Sequence, residues 1–188
     1  MNVSEKDKKK LALAAIFLIT FYCLVFVLNL FRADASFDRG EQATRYGLYG
    51  VAAENYQRAI VLNSREPRYH RELAYALAKL GAVKAAAGEA EMAYNLNPKN
   101  SLTVRSLVST YVDLADLDSK YLARAEELVT KATAQQPTNP QLYYEQALIL
   151  LKSEKDEEAV KALQKALELK KDYTKARELI ETFQQNRH

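Results

Sequence analysis

The segments "GLYGVAAENYQRAIVLN", residues 47–63, and "GAVKAAAGEAEMAYNLN", residues 81–97, share few letters. Yet Gly47, Ala52, Ala59 and Leu62 return as Gly81, Ala86, Ala93 and Leu96, each displaced by the same thirty-four positions. A fixed displacement of that size marks a repeat array. It restricts the fold more than any other feature, because each unit must bury its apolar face against the next. Five Gly, four Pro and no Trp, in a chain rich in Ala, Leu, Glu, Lys and Gln, point to helices joined by short turns. An all-α chain is expected.

The displacement extends into units at residues 33–66, 67–100, 101–139 and 140–173, with a tail at 174–188. Ala93 and Ala132 stand five positions further apart than Ala132 and Ala166, which places five extra residues within "DLADLDSKYLA", between the two helices of the third unit. As a loop insertion this costs little, since closure entropy grows slowly with length. In the second unit Tyr69, Leu73, Leu77 and Leu80 form one helical stripe, and Gly81 ends that helix through a left-handed backbone. Ala86, Ala90 and Ala93 then form a narrow stripe that lets helices approach closely, before Pro98 closes the unit. The tail keeps the stripe Ala176, Leu179, Ile180 and Phe183, the pattern of a cap helix over the open end of a stack.

These residues resemble the tetratricopeptide repeat (TPR): a 34-residue helix-turn-helix with small residues at Ala52 and Ala59, Ala86 and Ala93, Ala125 and Ala132, Ala159 and Ala166. Tyr56, Val129 and Leu163 fill the slot between three of the pairs, and Ala90 is the undersized fourth. The family's helix-ending Gly is present as Gly47 and Gly81 and missing at the third and fourth turns. The resemblance implies an α-solenoid of about four units whose first helices line a concave groove.

Ahead of the repeats runs "LALAAIFLITFYCLVFVLNL", unbroken from Leu11 to Leu30 by any charge, Gly or Pro. As a helix it spans about 30 Å, the thickness of a bilayer core, so a transmembrane helix is expected at 11–31, after a basic cytoplasmic stub at 1–10. The competing reading is a signal peptide cleaved at Ala33-Asp34-Ala35. Cleavable apolar regions are shorter, running about 7–15 residues, which favours an uncleaved anchor. "KDKKK" before the span outweighs Arg32 after it, so the repeats are expected on the extracytoplasmic side, with a bacterial cytoplasmic membrane as the location. A second resemblance is carried by "LFRADASFDRG" and "NYQRAIVLNSREPRY": this junction looks like the one at which TPR tails follow the last span of O-antigen-ligase-type membrane proteins. That resemblance implies a role beside envelope-polysaccharide machinery, with no transferase residue carried over onto this sequence.

The net charge of +3 arises in the segment 1–32, which holds five of the 27 basic and two of the 24 acidic groups. The remaining body is neutral, which argues against nucleic-acid binding. Cys23, alone in an apolar run, has no disulfide partner. No metal-ligand spacing, phosphate loop or nucleophile motif is present, so neither catalysis nor a cofactor is expected.

The binding surface is therefore the groove. The resemblance places Arg68, Arg71, Tyr75, Arg105, Ser109, Tyr144 and Glu145 on its exposed positions. Taken singly each fits a solvated helix face; as a set, three Arg and two Tyr suit an extended or helical acidic segment of a protein partner. Asp34, Phe37, Asp38 and Glu41 on the matching face of the first unit would repel the terminal carboxylate of a chaperone tail. The function expected is a membrane-tethered adaptor. The alternatives are an accessory structural subunit of an integral membrane complex, linked to envelope polysaccharide assembly, and an organelle receptor of opposite topology.

Overall fold

The structure, a computed structural model, describes residues 5–185, so part of the basic stub expected at 1–10 and the last residues of the tail lie outside the described residues. Those described form nine helices and no strand: α1 (Glu5–Arg45), α2 (Tyr49–Leu62), α3 (Pro67–Lys79), α4 (Val83–Leu96), α5 (Ser101–Ala115), α6 (Lys120–Gln135), α7 (Pro140–Lys152), α8 (Asp156–Leu169) and α9 (Thr174–Gln185). They divide into two bodies, Met1–Arg65 and Glu66–His188.

In the first body α1 runs 41 residues without a break, about 60 Å, so one helix carries both the apolar run and the residues that pack on α2. Nothing between Leu11 and Arg39 interrupts it, for the stretch holds no Pro or Gly. Thr20 Oγ1 donates to Phe17 O at 2.9 Å, so that hydroxyl is satisfied within its own helix. The most apolar window of α1 is long enough to cross a membrane and none of it is buried. Beyond it, α1 packs on α2, and Ala33, Phe37 and Ala43 of α1 and Ala52, Tyr56 and Ala59 of α2 are all buried. Phe37, expected on an exposed face, is thus a core residue: its ring lies 5.5 Å from that of Tyr56. The contact between α1 and α2 is tightened by close approach at Gly40 and by a 2.9 Å hydrogen bond between Thr44 Oγ1 and the Tyr56 hydroxyl.

The second body stacks α3/α4, α5/α6 and α7/α8, with α9 against α8. The first helix of each pair starts on a side-chain cap: Glu66 accepts from Arg68 N, Asn100 from Thr103 N and Asn139 from Gln141 N. Pro opens α3 and α7, where a missing N–H costs nothing. All eight repeat alanines are buried, so small side chains sit where helices cross. At Ala90 the missing bulk is supplied from α5: Tyr111 crosses to α4, its hydroxyl 2.6 Å from Glu91 Oε1 and 3.4 Å from Ala87 O. Leu80, expected on the core stripe, instead caps α3 and is exposed, because the chain is already turning at Gly81.

The five extra residues of the third unit do not form a loop. Two lengthen α5, which has 15 residues against 13 in α3, and two lengthen α6, with 16 against 14 in α4. Only one enters the turn. Helical residues keep their backbone hydrogen bonds, so the insertion lengthens the α5/α6 hairpin rather than adding an open loop.

Gly47 and Gly81 adopt φ of 71° and 72°, the left-handed conformation that ends their helices. Glu154 occupies the matching position of the fourth unit with φ 58°. A side chain there costs roughly 1 kcal/mol relative to Gly. Glu154→Gly should therefore raise the stability of the fourth pair by about that amount, seen as a higher urea midpoint with an unchanged slope.

Candidate functional site

The repeat register brings equivalent positions of α3, α5, α7 and α9 onto one side of the second body. Residues 68, 102, 141 and 175 correspond, as do 71, 105 and 144; 72, 106 and 145; and 75, 109 and 148. Two adjoining depressions follow these positions. One, of about 400 Å³, is lined by Glu72, Tyr75, Leu102, Arg105, Ser106, Ser109 and Glu145. The other, of about 270 Å³, is shared between α5, α7 and α9 and includes Val108, Val112, Gln141, Tyr144, Leu148, Tyr173 and Lys175. Arg105, Ser109 and Glu145 line both, so the two form one groove.

Five of the seven residues expected from sequence line it: Tyr75, Arg105, Ser109, Tyr144 and Glu145. Arg68 and Arg71 do not. Arg68 turns back at the start of α3, its Nε donating to Glu66 Oε1 at 3.2 Å, with the guanidinium 5.9 Å from the Tyr69 ring. Arg71 is 12% exposed and held by Glu72 at 2.7 Å. Leu102 and Leu148, 59% and 42% exposed, also line the groove though not among the residues expected, because leucine as a residue type does not signal a binding position. The repeat register, carried forward one unit from Arg68 and from Ser109, points to both.

Each of the three arginines carries a carboxylate of its own chain: Glu66 on Arg68, Glu72 on Arg71 and Glu145 on Arg105. The Arg105 pair bridges α5 to α7, with Nε donating to Glu145 Oε1 at 3.0 Å. Glu145 Oε2 is buried and has no hydrogen-bond partner. Burial pushes the Glu145 carboxyl above its ordinary range, outweighing the opposing pull of Arg105. Ionised Glu145 is thus poorly satisfied, and Arg105 would gain from a better-hydrated carboxylate. At the groove end, the rings of Tyr144 and Tyr173 lie 5.3 Å apart and present an apolar wall.

Other polar clusters bind helices together. Lys79 Nζ reaches Asp113 at 2.6 Å, joining α3 to α5, and Lys152 pairs with Asp116 beyond α5. Arg124 grips both oxygens of Glu91 at 2.8 Å, joining α6 to α4, while Tyr111 donates to the same carboxylate. His70, buried in α3, has Nδ1 2.6 Å from Glu89 Oε2 of α4. Among the described residues, no group of three or more His, Cys, Asp and Glu is placed to hold a metal ion.

The tetratricopeptide repeat profile matches residues 37–101 and 117–186. Similar solved structures include TTC0263, a thermophilic TPR protein of Thermus thermophilus, at 23% identity over 74% of this chain and 75% of that one, with a TM-score of 0.60. YrrB, described as a TPR protein with an unusual peptide-binding site, shares 21% identity over 79% and 74%, with a TM-score of 0.63. MamA shares 22% over 93% and 99%, with a TM-score of 0.62. At such identities the likeness is one of fold. No curated protein matches the chain significantly.

Proposed function

Because the chain belongs to the tetratricopeptide repeat family, whose members act as protein-interaction scaffolds, we propose that it is a membrane-tethered scaffold that holds a partner's acidic segment in the α3/α5/α7 groove. Residues 11–31 span the membrane, and the units at 33–66, 67–100, 101–139 and 140–173 stand on its extracytoplasmic face. The observation that carries this reading is the continuous groove over three successive first helices, with Arg105 at its centre. The tether rests on the unburied apolar length of α1. That YrrB is described as having a peptide-binding site favours a peptide occupant.

The paired arginine sets the mechanism. A partner carboxylate takes the place of Glu145 on Arg105, and the released Glu145 accepts a proton or turns to water. Exposed Leu102 and Leu148 receive apolar side chains on either side. Arg105→Gln should lower partner recovery roughly tenfold, given about 1.5–3 kcal/mol for a charge-assisted hydrogen bond. Glu145→Gln, which frees Arg105 of its internal rival, should raise recovery severalfold. The measurement is quantitative affinity purification from solubilised membranes. A loss of recovery with Glu145→Gln would overturn the acidic segment and point to a cationic one.

A further inference from the structure

The first body holds a depression of about 690 Å³ that the groove does not use. Arg32, Ser36 and Arg39 of α1 and Glu54, Arg58 and Val61 of α2 are among its walls. Beyond Phe31 the 3.6-residue period sorts α1 into three stripes. Ala33, Phe37 and Gly40 face α2; Asp34, Asp38 and Glu41 share a second side; Arg32, Ser36 and Arg39 share a third. The acidic groups are thus segregated from the depression, and the turn at Gly47 brings α2 back along α1 so that Arg58 joins the basic side.

These guanidinium groups are available. Among the described residues the side chains of Arg32 and Arg39 make no hydrogen bond or ion pair, and Ser36 Oγ donates to Arg32 O. Arg58 reaches Glu54 only at 3.8 Å, with both side chains largely in water, a pairing of little strength. Three guanidinium groups around one carboxylate leave the depression positive. Position along α1 identifies the anion. Arg32 directly follows the apolar run, and Arg39 lies about 10 Å further along the helix. A bilayer's polar layer is about 5–7 Å deep on each side of its hydrocarbon core, so Arg32 and Ser36 fall at phosphate depth with Arg39 just outside. Val61, 85% exposed beside them, offers an apolar contact toward the same surface.

We propose that this cradle seats the phosphate headgroup of an anionic phospholipid in the leaflet where α1 ends, giving the protein a second, lipid-selective membrane contact. The proposal rests on reading residues 11–31 as a membrane span, and its test separates the two. The full-length chain and its Arg32→Gln, Arg39→Gln, Arg58→Gln triple variant are reconstituted in vesicles of phosphatidylcholine alone, where flotation reports the span. Both proteins are then titrated in neutral micelles with phosphatidylglycerol, with phosphatidylcholine and with inorganic phosphate, and bound lipid is counted by native mass spectrometry. All three arginines are exposed, so the variant keeps its helicity by circular dichroism.

The expected result is flotation of both proteins, with selective phosphatidylglycerol binding by the natural chain that falls roughly ten- to a hundredfold in the variant and weakens with salt. Flotation of both with equal phosphatidylglycerol binding overturns the cradle and leaves the span standing. Failure of both to float overturns the span and the cradle with it. Retention of inorganic phosphate in preference to the lipid overturns the lipid assignment.

Discussion

Ala93→Arg is expected to lower the stability of the full-length chain in detergent by several kcal/mol, seen as a markedly lower melting temperature. Ala93 is wholly buried in the cluster that joins α4, α5 and α6, among Ala86, Ala90, Leu107, Tyr111 and Val129. No space for a guanidinium exists there, so the helices must part or the charge must be buried unpaired. Typical costs are about 2–5 kcal/mol, against a total stability of about 5–15 kcal/mol for an ordinary domain. The control is Met92→Arg, one residue earlier on the exposed side of α4, where a change within about 0.5 kcal/mol is expected. Circular dichroism at rising temperature distinguishes them. Equal melting of the two variants would mean that Ala93 does not lie at a helix crossing.

Gly40→Val has the second-largest expected effect on the fold, and its sign is informative. Replacing Gly within a helix ordinarily helps, by up to about 1 kcal/mol for Ala. Here an added Cβ would stand 2.5 Å from Tyr56 Cε1. The ring has no room to yield, since it is fully buried, packed on Phe37 and hydrogen-bonded to Thr44. Overpacking of about 1–3 kcal/mol should therefore exceed the propensity gain. Destabilisation should be read by urea titration of the α1/α2 body. Tyr56→Ala in the same chain should relieve part of it, giving a double variant less destabilised than the two changes added together. Full additivity would contradict the contact.

How much of this was legible in the residues depends on whether the signal was periodic. The buried alanines were, because a fixed displacement repeats the same steric demand in each unit. The glycine turns at 47 and 81 were legible for a similar reason, but Glu154 was not, because residue type gives no sign that a glutamate adopts a left-handed backbone. Only its place in the register does. The lengthened helices of the third unit were not legible, because spacing reports how many residues are added and not whether they continue a helix.

The groove was legible in outline and not in charge state. Arg105 meets Glu145 at a separation of 40 residues, which only the stacking of α5 on α7 creates. Arg71 is held by its immediate neighbour Glu72, a spacing at which helix side chains ordinarily do not face each other. In the first body, the contact between α1 and α2 is built around one glycine and one tyrosine. There the decisive quantity is closeness of approach, which composition does not record.

The central claim, that the groove holds a protein partner at a membrane, is tested most directly by site-specific photo-crosslinking in cells. A photoreactive residue is placed at Ser109, exposed on the groove and shared by both depressions, and separately at Lys131, exposed on α6. Adducts to a partner protein are expected from position 109 in the membrane fraction, with none from position 131. Adducts from position 131 and not from 109, or adducts from 109 confined to the soluble fraction, would contradict the account.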